Sequence, residues 1–398
     1  MSNIINRQNE LNSILEFEAQ HIIKVLTGVR RSGKSTLLKM INDYFVNKYS
    51  DESVVFINLD SFKFAEIDNK NQFATLLKTE ITKNTKVLLL DEVQLVTGWE
   101  RIVNGLFAED KYDIYITGSN SKLLSGELGS LLSGRYVTYH IQPLSFAEIK
   151  SNNSDFQFED YIKTGGFPII SQMSFNKNDR YEQSFKIIDD IYNSVILKDV
   201  VERHNIRNVE LLHRLIMFIF QNLGNIFSAN RIRDYLKSQN RNVSVETVYD
   251  YLEFLQEAFV ISRVPRFNIK GKEIFKTNEK FYLADHAFIG AKFENTDAYI
   301  SGILENIVYC ELIRRNYDVT VGIMQDYEID FVALKRGTNK YIQVSYLMED
   351  PKTFERELRP LQKLNTKEEC LILTMDHSRS GNYDGIKVMH IEDWLLND

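Results

Sequence analysis

The sequence predicts an α/β protein with a parallel sheet, a helical region and a second α/β domain. Residues 20–142 alternate short β-branched segments with helical segments, which is the pattern of a parallel sheet with crossover helices. Between about 145 and 225 the hydrophobic period becomes helical, and from about 300 to 395 a mixed α/β pattern returns. A chain of 398 residues is long enough for about two to three domains, which excludes a lone small binding module.

Composition narrows the class of protein. The chain is 43% hydrophobic and 26% charged, which is typical of a globular protein and excludes disorder as the main state. Its net charge of −7 argues against coating nucleic acid by bulk charge but leaves a local basic face open. Two cysteines, Cys310 and Cys370, exclude a disulfide framework and fit a reducing cytoplasm. No apolar run approaches the roughly 20 residues of a membrane span, so we expect a cytoplasmic protein without membrane contact.

The first domain, residues 1–144, contains five segments with the apolar and β-branched composition of strands. Before them, the N-terminal segment has the pattern of an amphipathic helix. The five predicted strands are KVLTG (24–28), SVVFINL (53–59), KVLLLD (86–91), YDIYITGS (112–119) and RYVTYHI (135–141).

A phosphate-binding loop is predicted over residues 28–35, where GVRRSGKS matches G-x-x-x-x-G-K-[ST] in full. The motif follows an apolar strand and opens a helix, which is the context it requires. Its glycines let backbone N–H groups turn inward as an anion nest. We predict that Lys34 reaches the β- and γ-phosphates and that Ser35 ligates Mg²⁺. The residues predicted to bind the nucleotide are Gly28, Arg31, Ser32, Gly33, Lys34, Ser35 and Thr36.

An acidic pair, Asp91-Glu92, follows the apolar run VLLL. A buried strand would deliver Asp91 to the Mg²⁺ shell beside Ser35, and Glu92 would polarise the water that attacks the γ-phosphate. Many P-loop kinases need no such glutamate beside the metal-binding aspartate, so the pair favours hydrolysis. The alternative is an ordinary strand that ends in an acidic turn.

The next strand ends in Thr117-Gly-Ser119-Asn120. Ser119 or Asn120 would hydrogen-bond the attacking water, or the serine would be the N-cap of a following helix, SKLLSGELGSLL. Arg135 opens the last strand of the domain. It would stabilise the charge of the transition state, either within the chain or in a neighbouring subunit of an oligomer, or it is a surface arginine.

The order of these motifs resembles that of the AAA-type ATPases. More narrowly, the segments GVRRSGKSTLL, LLLDEVQLVTGWE and YIKTGGFPII resemble a widespread prokaryotic ATPase family with a C-terminal domain of unknown function. Later segments, LENIVYCEL, EIDFVAL and YIQVSY, extend the resemblance over nearly the whole chain. The resemblance implies an AAA-like parallel sheet with a helical lid, which we place at residues 145–207, and a protein that binds and hydrolyses ATP.

Residues 208–284 are predicted to form three helices and a β-hairpin, as in a winged helix. Residues 201–280 carry 13 basic and 9 acidic residues, a local excess that favours DNA binding. The third helix, however, carries four acidic residues that phosphates would repel, and a protein-contact module is the alternative. These acidic residues are Glu246, Asp250, Glu253 and Glu257.

Residues 285–398 resemble a restriction-endonuclease-like α/β domain, through an acidic helix residue, Glu305, and a hairpin aspartate, Asp330. In that fold a Glu-x-Lys on the next strand completes the Mg²⁺ site, but here the positions are Gln343 and Ser345. An amide is a poor ligand for a hard cation and a hydroxyl supplies no ammonium charge. Lys340 would face away from Gln343 on a strand. We therefore expect a nuclease-like domain without cleavage activity.

The sequence thus predicts an ATPase that couples its nucleotide state to a macromolecular partner, with DNA as a candidate. A slow nucleotide switch that binds only a protein partner is one alternative. An ATP-dependent nuclease is the second, and the missing Glu-x-Lys argues against it.

Overall fold

The computed structural model describes residues 5–121, 134–173, 179–275 and 278–397, which form two compact units. No described helix is long and apolar enough to cross a membrane. The first unit comprises Met1–Pro143, Phe167–Gln172 and Glu257–Phe259, and the second comprises Leu144–Gly166, Met173–Gln256 and Val260–Asp398.

A five-stranded sheet with only parallel pairings forms the centre of the first unit. Its strands are β1 (Ile23–Thr27), β2 (Val54–Asn58), β3 (Val87–Asp91), β4 (Asp113–Gly118) and β5 (Tyr136–His140). They lie where the sequence predicts them, in the order β2-β3-β4-β1-β5. Because all strands run in one direction, the loops that follow β1, β3 and β4 meet at the carboxyl edge of the sheet.

Helices cover both faces of this sheet. They are α1 (Gln8–Leu15), α2 (Lys34–Lys48), α3 (Lys70–Glu80) and α4 (Trp99–Ala108). Leu88 and Leu90 of β3 pack with residues of α3 and α4, whereas Val87 and Leu89 pack with residues of α1 and α2. The run VLLL is apolar at every position because successive side chains of a central parallel strand point to two buried faces.

The second unit begins with the helical region that the sequence predicts. Its helices α5 (Phe146–Asn152) and α6 (Phe158–Thr164) precede α8 (Arg180–Ser194), which continues as a π-helical segment, Val195–Glu202. Between them, α7 (Pro168–Gln172) belongs to the first unit.

Three helices and a hairpin follow, in the order that the sequence predicts. The helices are α9 (Val209–Gln221), α10 (Ala229–Ser238) and α11 (Val245–Glu257), and β6 (Ile261–Val264) pairs with β9 (Lys280–Leu283). The predicted caps are present, since Ser228 Oγ accepts from the N–H of Arg231 and Ser244 Oγ from that of Thr247. Each serine satisfies an amide that the first helical turn leaves without a partner.

The last part of the chain adds helices and an eight-stranded mixed sheet. Its helices are α12 (Ala287–Lys292), α13 (Ile300–Arg314), α14 (Pro351–Gln362) and α15 (Ile391–Leu396). Its strands are β7 (Arg266–Asn268), β8 (Glu273–Ile274), β10 (Asp318–Met324), β11 (Tyr327–Leu334), β12 (Lys340–Ser345), β13 (Glu369–Thr374), β14 (Gly381–Tyr383) and β15 (Ile386–His390). The sheet order is β14-β15-β13-β12-β11-β10-β7-β8.

The far half of the predicted hairpin differs from expectation. Strands β7 and β8 pair with each other, and β7 also pairs in parallel with β10, so this part of the hairpin joins the C-terminal sheet. The boundaries predicted after residues 207 and 284 therefore fall inside one compact unit. The sequence did not reveal this because the pairing joins residues 55 apart in the chain, such as Arg266 and Val321.

Candidate functional site

The loop between β1 and α2 has the backbone conformation that the glycine spacing predicts. Gly28 and Gly33 have φ values of +143° and +102°, which favour glycine. A Cβ on Gly28 would lie 2.2 Å from the carbonyl oxygen of Ile141, so a side chain cannot be placed there without moving backbone. Gly33 is also the N-cap of α2 and has no side chain to satisfy the first amides of that helix. Amides left without partners at a helix N-terminus suit an anion, and these lie at the carboxyl edge of the sheet.

Lys34 is buried inside this loop. Its Nζ donates to the carbonyl oxygens of Gly28 and Val29, each at 3.0 Å. The side chain is 3% exposed, so the ammonium group is held against the loop and not in solvent. A cation placed on the loop carbonyls in this way is close to any phosphate that the loop amides bind.

The other residues predicted to bind the nucleotide differ in their exposure to solvent. Ser32 is fully buried, and its Oγ has no hydrogen-bond partner among the described residues. Arg31 is exposed and has a positive φ of 66°, and Thr36 lies half-buried in the first turn of α2. Ser32 Oγ is therefore a donor available to a ligand of the loop.

Asp91 lies at the end of β3, and one of its two carboxylate oxygens is saturated. Oδ1 accepts hydrogen bonds from Ser35 Oγ at 3.1 Å and from Thr117 Oγ1 at 2.5 Å. Oδ2 is buried and has no hydrogen-bond partner among the described residues. The structure thus brings together the two predicted metal ligands, Ser35 and Asp91, beside an unsatisfied carboxylate oxygen. Hydroxyl and carboxylate oxygens are ligands that suit Mg²⁺.

Glu92 follows in a left-handed conformation, with φ of 57°. Its backbone N–H donates to Thr117 Oγ1 at 3.0 Å, and Gln94 Nε2 donates to its side-chain Oε2. Burial raises the pKa of Glu92, while the nearby positive charge of Lys34 opposes the shift. The side chain is therefore positioned by Gln94 in a region of low solvent access.

Thr117, Gln94 and a third residue, Arg7, were not predicted as site residues. Arg7 Nη1 donates to the carbonyl oxygen of Ser32 at 3.2 Å, and Nη2 pairs with Glu10 at 3.0 Å. Arg7 is 3% exposed, so the segment before α1 stiffens the loop from within the unit. The signal for Arg7 in the sequence is its i,i+3 pairing with a glutamate at the start of an amphipathic helix.

Ser119 and Asn120 come directly after β4, which lies between β3 and β1. Both are buried, at 1% and 4% exposure, and Ser119 Oγ has no hydrogen-bond partner among the described residues. They lie at the same sheet edge as Asp91 and the loop. The helix predicted after them spans residues 121–132, of which 122–132 lie outside the described residues.

Arg135 is at the opposite edge of the sheet. It precedes β5, whose first residue, Tyr136, is in register with Ile23 at the start of β1. Its Nη1 donates to Asn104 Oδ1 at 2.7 Å, and its guanidinium lies 5.7 Å from the ring centroid of Phe107. The length of β1, about 16 Å, separates it from the loop that follows β1. The structure therefore does not bring Arg135 to the loop of its own chain, and a role in a neighbouring subunit stays a prediction.

The residues that resemble the metal site of a nuclease lie in the second unit. Gln343 Oε1 accepts from the N–H of Asp330 at 3.3 Å, and its Nε2 donates to Glu357 Oε2 at 3.0 Å. Ser345 is buried at the end of β12. Lys340 pairs with Glu369 at 2.9 Å.

Sequence comparison identifies relatives that match most of the chain. An "Uncharacterized protein" of Haemophilus influenzae is 34% identical over 404 residues, covering 99% of each chain. The chain belongs to the family of this protein. A second member, an uncharacterized protein of Methanocaldococcus jannaschii, is 33% identical over 90% of this chain and 81% of its own.

Two family models match consecutive parts of the chain, and the first of them covers the loop at 28–35 and the pair Asp91-Glu92. Residues 20–150 match the model described as an AAA domain, and residues 155–298 match a domain of unknown function. Among solved structures, a Walker-type ATPase of Pyrococcus abyssi is similar with a TM-score of 0.52 and 16% identity, over 73% of this chain and 96% of that one. The first unit is thus an AAA-type P-loop domain, and at this identity the solved structure supports the fold alone.

Proposed function

We propose that this family member binds ATP with Mg²⁺ and hydrolyses it to ADP and phosphate. The observation that supports the proposal most strongly is Asp91 Oδ2, which is buried and has no hydrogen-bond partner among the described residues. Leaving a buried carboxylate oxygen unsatisfied costs free energy, and a cation bound beside Ser35 removes that cost. When bound, Mg²⁺ supplies positive charge that neutralises the phosphate oxygens.

The remaining residues have roles that follow from their positions. Lys34 and the amides at the start of α2 hold the phosphates, and Ser32 Oγ adds a donor. Glu92, oriented by Gln94, accepts a proton from the attacking water. Ser119 Oγ, buried and without a described partner, hydrogen-bonds the water or the γ-phosphate. None of these roles requires a group from outside the first unit.

The test is a charge deletion with a matched control on the same helix. Lys34→Ala removes the ammonium group of the loop and should reduce ATP binding and phosphate release to background. Lys39→Ala removes an exposed lysine of α2 and should leave both unchanged. Phosphate release by Lys34→Ala at the wild-type rate would contradict the proposed site.

Arg135 would act on the nucleotide of a neighbouring subunit. It is exposed at the amino-terminal end of the strands, away from the loop that follows β1 in its own chain. Oligomers mixed from Arg135→Ala and Lys34→Ala chains should regain part of the hydrolysis that each lacks. No recovery in a proven oligomer, or a monomer in the presence of ATP, would assign Arg135 a structural role.

We further propose that hydrolysis is coupled to a macromolecular partner, with DNA as the first candidate, bound through residues 208–284. In support, an antiparallel bridge joins Phe227, just before α10, to Glu279, just before β9, an arrangement that suits a winged helix. Arg233, Asp234 and Lys237 of α10 line an open cleft of about 430 Å³ together with residues 242–244, which precede α11. The exposed acidic side chains of α11 would repel the phosphates of DNA, so we expect α10 to be the helix that contacts DNA.

DNA binding is tested by the anisotropy of a labelled duplex at low and moderate salt. Lys237→Glu should weaken binding at least about tenfold, whereas Lys387→Glu, an exposed lysine of β15, should not. If the protein does not bind DNA and DNA does not stimulate hydrolysis, the slow switch that binds a protein partner is favoured. We place either activity in the cytoplasm, where the two cysteines, both free, remain reduced.

A further inference from the structure

An ammonium group lies at the centre of three carboxylates in the second unit. Lys280 Nζ, from β9, is 3.0 Å from Glu305 Oε2, 2.8 Å from Asp330 Oδ1 and 2.8 Å from Glu328 Oε1. Lys280 is 1% exposed, and Glu305 and Asp330 are also buried. We call these four residues the lysine centre.

The number of carboxylates in the lysine centre matches the number of N–H donors of an ammonium group. An ammonium group has three N–H donors, and each of its contacts here is with a different carboxylate. The distances are those of N–H···O bonds, whereas Mg²⁺ and Ca²⁺ bind oxygens at about 2.0–2.6 Å. The carboxylates are therefore arranged around a bound cation, and that cation belongs to the chain.

The surrounding groups add further hydrogen bonds to two of the carboxylates and close the centre. Asp330 Oδ2 accepts from the backbone N–H of Val344 at 2.9 Å, and Tyr282 OH donates to Glu305 Oε2 at 3.0 Å. Gly224, in the turn after α9, lies so close that a Cβ there would be 3.0 Å from both oxygens of Glu305. Only Glu328, with a side chain 41% exposed, opens to solvent.

These contacts disagree with the nuclease-like interpretation of Glu305 and Asp330 as ligands of Mg²⁺, because a side-chain cation already lies between them. We propose that Lys280 is a tethered cation that takes the place of a divalent metal ion at this acidic centre. Its carboxylates form a site for a hard divalent cation, such as Mg²⁺ or Mn²⁺, only when the ammonium group is removed.

The tether has a consequence for the fold. Lys280 belongs to the β6–β9 hairpin, while Glu305 belongs to α13 and Asp330 to β11. One buried ammonium group therefore links the three-helix region to the C-terminal sheet. A free metal ion would fill the acidic centre without making this covalent connection to the hairpin. The rival interpretation is a lysine that assists a metal-dependent nuclease, which requires lysine and metal to be present together.

The test is Mn²⁺ binding to the full chain without nucleotide, followed by electron paramagnetic resonance and by thermal unfolding. Lys280→Ala should bind one more Mn²⁺ than the wild type, with a dissociation constant below about 1 mM. Its unfolding temperature should fall by several degrees, because three buried or half-buried carboxylates lose their cation, and Mn²⁺ should recover most of the loss. The double variant Lys280→Ala/Asp330→Asn should not gain the ion.

Controls and adverse outcomes are defined by the same measurements. Lys340→Ala, which removes a strand lysine from a surface ion pair with Glu369, should gain no Mn²⁺ site. A wild-type Mn²⁺ site that Asp330→Asn abolishes would overturn the proposal in favour of the metal-dependent rival. A folded Lys280→Ala variant that gains no Mn²⁺ site would overturn it as well. Should Lys280→Ala not fold alone, refolding yields that rise with Mn²⁺ support the proposal, and yields that do not rise contradict it.

Discussion

Asp91 in the first unit and Asp330 in the second are both buried aspartates on strands, but their oxygens are satisfied differently. Asp91 Oδ1 accepts from two hydroxyl groups and Oδ2 from no described residue. Asp330 accepts from Lys280 through Oδ1 and from a backbone N–H through Oδ2. The difference teaches that an acidic residue marks a ligand site when the protein leaves part of its carboxylate unsatisfied. A carboxylate whose oxygens all have protein partners holds the fold together instead.

The glutamates beside the two aspartates provide the largest expected contrast. Glu92→Gln should keep ATP binding while turnover falls about 100-fold or more, because the amide cannot accept a proton from water. Glu305→Gln should leave turnover unchanged, since Glu305 bonds to Lys280 and Tyr282. The measurement is steady-state phosphate release together with the affinity for ATP. Wild-type turnover by Glu92→Gln would remove Glu92 from the mechanism.

Hydroxyl donors to the two centres give a smaller contrast. Thr117→Val keeps the shape of the side chain but removes the donor to Asp91 and the acceptor for the N–H of Glu92, so turnover should fall about tenfold. Tyr282→Phe removes a buried donor to Glu305 and should lower the free energy of unfolding by about 1–3 kcal/mol without changing turnover. Turnover and chemical denaturation of both variants are the readouts. The comparison fails if Tyr282→Phe slows hydrolysis as much as Thr117→Val.

The smallest expected effect is on nucleic acid cleavage, where no change from background is predicted. The lysine centre has no place for a metal ion while Lys280 is present, and Gln343 is engaged by Asp330 and Glu357. Plasmid and single-stranded DNA should remain intact with Mg²⁺ or Mn²⁺, with or without ATP. Metal-dependent cutting that disappears in Asp330→Ala would contradict this account and favour the nuclease.

The parts of the site that sequence reasoning found are those in which chemistry and chain position coincide. The loop at 28–35 and the pair Asp91-Glu92 are contiguous motifs at the ends of strands, so the parallel sheet brings them to one edge. Gln94 was missed because it reaches Glu92 through a left-handed turn that nothing in the local sequence announces. The acidic residues of the second unit look incomplete in the sequence because their lysine lies on β9 and not on β12, the strand next to Asp330.

Lys280 shows most clearly which part of the structure could not be predicted from the sequence. It lies 25 residues from Glu305 and 50 from Asp330 along the chain, on a hairpin predicted to belong to another domain. The pairing of β7 with β10 joins the same segment of chain to the C-terminal sheet. Such a pairing between short strands leaves no periodic signal in the sequence, and the cation that completes the centre could not be assigned without the structure.

The most direct test of the central claim is ATP hydrolysis by Asp91→Asn and Asp330→Asn, measured beside the wild type at saturating Mg²⁺. The account predicts that Asp91→Asn loses at least about 100-fold in turnover, since the amide is a poor ligand for Mg²⁺. Asp330→Asn should hydrolyse ATP at the wild-type rate, because its carboxylate serves the lysine centre. Equal turnover by Asp91→Asn and the wild type would contradict the assignment of the unsatisfied carboxylate as the nucleotide-linked metal site.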